Sequence, residues 1–99
     1  MLVCQIIGDV VSTTKSSKIE GFKLLVVQPV DVFELKPNGS PLVAVDTVGA
    51  GEGEHVLVCQ GSSARLTAQT KDKPVDAVIY AIIDYVEIEG KRTFSKGEN

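Results

Sequence analysis

Residues 42–60, LVAVDTVGAGEGEHVLVCQ, read as a strand, a glycine loop and a second strand. The flanks are valine-rich and too short for helices, which points to β structure on both sides of the loop. The strands are expected over residues 42–48 and 54–60, joined by Gly49, Ala50, Gly51, Glu52 and Gly53. A plain connection would need fewer glycines. Three in five residues describe a backbone that takes positive φ or is approached closely by another chain. A phosphate cradle does not fit, because G-x-G-x-x-G and a Walker lysine are missing and a strand, not a helix, follows. Glu52 and Glu54 would also repel an anion.

Working outward, residues 2–13 and 22–30 read as two further strands, with the polar loop TKSSKIEG between them. Pro29 marks an edge or an ending of the second. Pro37, Asn38 and Gly39 set a turn within residues 31–41. Downstream, residues 61–69 suit one short helix capped by Ser62 or Ser63, stopped before Pro74. A last strand is expected over residues 75–89. Its first half, AVIYAII, is apolar at both alternating sets of positions, so both faces should be covered. In its second half Tyr85, Glu87 and Glu89 alternate with Val86 and Ile88. The expected fold is mainly β: a small, closed or nearly closed five-stranded antiparallel barrel of the OB-like or Greek-key type, with one short helix. Residues 1–89 form this single domain and residues 90–99 a polar C-terminal tail.

Composition limits the function. The 99 residues are 43% hydrophobic but only 5% aromatic. A lone domain this small buries only about two-thirds of its surface, so so much aliphatic material suggests oligomerisation. The net charge of −3 offers no global field for nucleic acid. No apolar run approaches the ~18 residues of a membrane helix. The opening MLVCQIIGDVV lacks a basic n-region, and Cys4 and Cys59 are too few for a disulfide framework, so a cytosolic protein is expected.

Catalytic equipment is thin. His55 is the single histidine, and a zinc site would have to gather it with Cys4, Cys59 and a carboxylate without close ligand pairs. We read His55 as a surface or interface residue and both cysteines as small buried hydrophobes. Gly61-Ser62-Ser63-Ala64-Arg65 lacks the second glycine of a nucleophile elbow. Arg65 either bridges carboxylates or carbonyls across a contact or is a solvated surface residue. No catalytic residue, metal site or cofactor is assigned.

Three motifs at these separations, VGAGEGE at 48–54, GSSAR at 61–65 and PVDA at 74–77, resemble the signature of the bacterial microcompartment vertex proteins, the EutN/CcmL family. Gly8, then Val10-Val11-Ser12-Thr13 with Lys15, and GFKLLVVQP at 21–29, are similar to the family's opening, so the likeness covers about residues 1–89. The resemblance implies a non-enzymatic structural protein. It implies a cyclic homopentamer of a small barrel, capping the five-fold vertices of a shell whose facets are hexameric proteins, in the bacterial cytoplasm. The family's rim toward hexamers carries over to Ile19, Gly21, Gly49, Ala50, Gly51, Gly53 and Glu54. Ser62, Ser63 and Arg65 carry over to pentamer integrity or loop bracing. Residues 31–41 and the tail fall where the family varies, and His55 stands where relatives often have an aromatic. No nucleic acid or membrane partner is expected. The competing reading is a small OB-like binding module for nucleic acid or another ligand, which needs a basic groove and stacking aromatics.

Overall fold

A computed structural model describes residues 1–11, 22–61 and 76–96. Five strands close into a barrel: β1 (Leu2–Val10), β2 (Lys23–Pro29), β3 (Leu42–Asp46), β4 (His55–Gln60) and β5 (Ala77–Ile82), in the order β1-β2-β3-β5-β4. A separate two-stranded sheet follows, β6 (Tyr85–Ile88) and β7 (Lys91–Ser95). The expected helix at 61–69 lies outside the described residues apart from Gly61. Gly61 N–H donates to the Asp76 carbonyl at 2.7 Å, so the chain leaves and re-enters the barrel at adjoining points.

The antiparallel expectation needs one correction. β3 and β5 pair in parallel, through Val45↔Val78 and Asp46↔Ile79. The reason is geometric: strands in a ring alternate direction only if their number is even, so closing five strands forces one parallel pair. The other four pairings are antiparallel. β1 serves both β4, along Leu2 to Gln5, and β2, along Cys4 to Val10. A register shift between Ile6 and Gly8 supplies the bend such a shared strand needs.

Inward-facing side chains from all five strands fill the barrel. Cys4, Ile6, Leu25, Val27, Ala44, Val56, Val58, Ala77 and Ile79 form one buried cluster, joined by Ala50 from the glycine loop. Val45, Cys59 and Val78 form a second, on the other side of the sheet, with Phe22 and Leu24 packed against it. The expectation that both faces of AVIYAII are covered holds for its first three residues, where Ala77 and Ile79 join the first cluster and Val78 the second, and fails at Tyr80, which is 51% exposed.

That last strand is not continuous, as residues 75–89 had suggested. Its pairing with β4 ends at Val56↔Ile82, because β4 begins at His55. Beyond it Ile83 N–H still donates to the His55 carbonyl at 2.9 Å, and from Tyr85 the chain takes a new partner. That partner is β7, which places residues 91–95 of the polar tail in a strand. The two-residue turn between Ile88 and Lys91 has positive φ at both Glu89 (52°) and Gly90 (81°), the geometry that matches the natural twist of a hairpin.

Candidate functional site

The glycine loop between β3 and β4 is a braced structure. Asp46, the last residue of β3, turns its carboxylate back along the chain. Its Oδ1 accepts from the N–H groups of Val48 (3.0 Å) and Gly49 (3.1 Å), and its Oδ2 from Ala50 (3.0 Å). Glu54 braces the far side, with Oε1 accepting from Gly51 N–H at 2.6 Å. Gly53 N–H donates to the Ile6 carbonyl at 2.8 Å, and Gln5 Nε2 to the Gly53 carbonyl at 3.2 Å. β1 therefore fixes the loop from below. Gly49 (φ 76°) and Gly53 (φ 88°) sit in the left-handed region, which favours glycine.

Sequence reasoning placed Gly49, Ala50, Gly51, Gly53 and Glu54 here, and the structure gives them different roles. Gly49 and Gly53 are exposed and Gly51 is half-buried. Ala50 is not a surface residue: its methyl lies in the barrel core at 1% exposure, so it anchors the loop. Glu54 is half-buried, and its carboxyl lies below the usual carboxylate range because Gly51 N–H and then Lys96 hydrogen-bond to it. Ile19, Gly21, Ser62, Ser63 and Arg65 lie outside the described residues. Asp46 was missed as a member of this site. Its signal was present, since Asp with a glycine three residues on is a common turn pattern.

Replacing Asp46 with alanine removes the acceptor of three backbone donors. The expected cost is about 1–3 kcal/mol, with asparagine at this position losing less. Urea unfolding of both variants at one protomer concentration measures it, and an unshifted midpoint for the alanine variant would show the loop to be self-supporting.

The second feature is the seat of the β6–β7 hairpin against this region. Lys96 Nζ reaches Glu54 Oε2 at 3.2 Å, and Lys96 N–H donates to the Asp84 carbonyl. Phe94 packs on His55 with ring centroids 4.3 Å apart. Thr93 Oγ1 donates to the Val32 carbonyl at 2.8 Å, tying the hairpin to the turn after β2. That turn is itself capped by Asp31, whose carboxylate accepts from Phe33, Glu34 and Lys36 N–H groups. His55 is thus half-buried, with Phe94 of the same chain against its ring. Burial pushes the Cys4 thiol up to about 11, which withholds the thiolate that nucleophilic or redox chemistry requires.

A glycine loop held rigid from beneath, on a closed five-stranded barrel, is the combination on which known proteins can be compared. The family described as ethanolamine utilisation protein EutN/carboxysome matches residues 1–84. The chain belongs to the EutN/CcmL family. Among its relatives, the bacterial microcompartment shell vertex protein GrpN of Rhodospirillum rubrum is 47% identical over 87 residues, 88% of this chain and 97% of that protein. The solved structure of Gloeobacter violaceus CcmL superposes with a TM-score of 0.91 at 39% identity, covering 99% of this chain and 100% of that one. The pentameric microcompartment shell protein GrpN, also solved, gives a TM-score of 0.78 at 46% identity over 89% of this chain and 100% of its own. EutN/CcmL membership places the chain among the shell vertex proteins of bacterial microcompartments.

Proposed function

We propose that five copies of this chain close into a ring that caps a five-fold vertex of a bacterial microcompartment shell, with the glycine loop on the outer rim. The likeness to the pentameric GrpN shell protein over nearly the whole of both chains carries this reading. The barrel's own surface agrees with it. Ile7, Val43 and Tyr80 are 45–51% exposed on three barrel strands, an apolar exterior suited to sister subunits. A ring uses heterologous contacts, so each protomer presents two different faces to its neighbours and leaves an outer edge for other tiles.

On that edge, Gly49, Gly51 and Gly53 let a hexameric neighbour approach the backbone closely, with Glu52 the exposed side chain among them, while Asp46, Glu54 and Ala50 keep the loop from deforming. The work is done by assembly, not by chemistry on a substrate, and it belongs in the bacterial cytoplasm where such shells lie. The nucleic-acid reading loses ground on the aromatics. Phe22 packs on the second cluster, Phe94 on His55, and Tyr85 lies under Arg92, so three of the five are already occupied. Native mass spectrometry of the purified protein tests the ring. One species at five times the 10.5 kDa chain is expected, and a stable monomer at micromolar concentration would overturn the proposal.

A further inference from the structure

The hairpin rests on the barrel over a patch that contains the chain's single histidine. His55 opens β4 opposite Gln5 of β1, and its carbonyl accepts from Ile83 N–H just past β5. Phe94 of β7 covers the imidazole, and Val86 of β6 is the cross-strand partner of Phe94. Nδ1 of His55 is buried, and among the described residues no group is hydrogen-bonded to it. A neutral ring tolerates that position. A proton there would place a charge where nothing accepts its hydrogen bond, at a cost of several kcal/mol in general.

Of the charged groups near the ring, Glu54, Lys96 and Arg92 have partners of their own, and Asp84 is exposed. Glu54 lies just before β4 and is held by Gly51 N–H and Lys96. Lys96, just after β7, spends its ammonium on that carboxylate. Arg92 of β7 sits over the Tyr85 ring, 4.3 Å from its centroid. Asp84 offers its backbone carbonyl to Lys96 N–H, and β1 presents the neutral Gln5, whose amide is on the Gly53 carbonyl. None of them is hydrogen-bonded to Nδ1.

We propose that His55 and Phe94 form a proton-sensitive latch, in which protonation of His55 undocks the β6–β7 hairpin while the five-stranded barrel stays closed. The two parts differ in self-sufficiency. A two-stranded hairpin is marginal by itself in water, whereas the barrel has a ring of pairings and its own core. Burial holds the His55 imidazole below its ordinary range. The sign follows: docking is complete above the free imidazole value of about 6.5 and weakens as pH falls below it. A one-proton linkage gives about tenfold per pH unit until the docked value is passed. Glu54, held low by Gly51 N–H and Lys96, stays ionised through that window, so His55 is the group that changes. Because Lys96 also touches the brace of the glycine loop, undocking removes one support from that loop. This consequence for shells rests on the rim reading, whereas the latch itself is measured without hexamers.

Hydrogen exchange of the full-length protein, corrected for intrinsic rates and followed from about pH 7.5 to about pH 5.5, tests the latch. Amides of β6, β7 and Lys96 should lose about tenfold protection per pH unit below 6.5, while Val56 and Val58 keep theirs. His55→Phe keeps an aromatic against Phe94 and should make hairpin protection independent of pH in this window. Equal loss in wild type and H55F, constant protection in the wild type, or barrel amides opening in step would each overturn the proposal. An NMR titration of the His55 ring protons supplies a second reading that does not need H55F to fold. Phe94→Ala should raise the His55 pKa toward the ordinary imidazole range, and an unchanged titration would contradict the cover assigned to Phe94.

Discussion

Replacing Ile79 with alanine is expected to lower barrel stability by about 2–5 kcal/mol, the range for truncating a large aliphatic side chain in a packed core. Ile79 is fully buried and sits on the strand that closes the ring. Its backbone is registered with Asp46 on the parallel side and with Val58 on the antiparallel side. Its carbonyl also accepts from Thr47 Oγ1 at 2.9 Å, which ties the start of the glycine loop to β5. Neighbours held on both flanks cannot collapse into the space, so the cost should fall in the upper part of that range. The comparison is Val11→Ala at a site 94% exposed, where a change within about 0.5 kcal/mol is expected. Urea unfolding must be done at one protomer concentration, since assembly adds stability by mass action. A loss below about 1 kcal/mol for Ile79→Ala would contradict the core assigned to this barrel.

The larger functional effect is expected at Gly51. Unlike Gly49 and Gly53, it does not lie in the left-handed region, so a side chain there brings no backbone strain. A Cβ would meet Glu54 Oε1 at 3.5 Å, an ordinary contact, and the Gly51 N–H that Glu54 accepts would be retained. Gly51→Ala should therefore fold and form rings like the wild type. Gly51→Asp adds a carboxylate beside Glu52 and Glu54 on the proposed rim. An unpaired charge pressed into a contact costs on the order of 2–5 kcal/mol, and each 1.4 kcal/mol is tenfold in affinity. With hexamers co-expressed, the yield of closed shells should drop at least about tenfold while the mass of the ring is unchanged. Closed shells at wild-type yield with Gly51→Asp would remove the glycine loop from the rim.

Much of this was legible in the residues, and the limits have physical causes. The valine-rich flanks of residues 42–60 became β3 and β4, and the doubly apolar residues 77–79 do face two clusters. Local patterns report burial, and burial was what these segments encode. The parallel β3–β5 pair was not readable, because it follows from closing an odd number of strands rather than from any residue. Nor was the break after Ile82, which occurs where β4 runs out of residues to pair. Glu89-Gly90 could have been read as a hairpin turn between Val86-x-Ile88 and Thr93-Phe94, but the charged surroundings masked it. In the site, the glycines announced the loop and Asp46 was its locally readable brace, whereas Gln5 and Lys96 reach it by contacts that only the fold creates.

If copies of this chain fill the five-fold corners of a closed protein shell, they should be seen there. Cryo-electron microscopy of shells assembled from hexameric shell proteins with this chain present tests it most directly, with shells made in its absence as the reference. A ring of five barrels is expected at each vertex, with glycine loops turned toward the surrounding hexamers, and open vertices when the chain is left out. Density for this chain within the facets or the lumen, or vertices equally closed without it, would show that the chain is not the vertex cap.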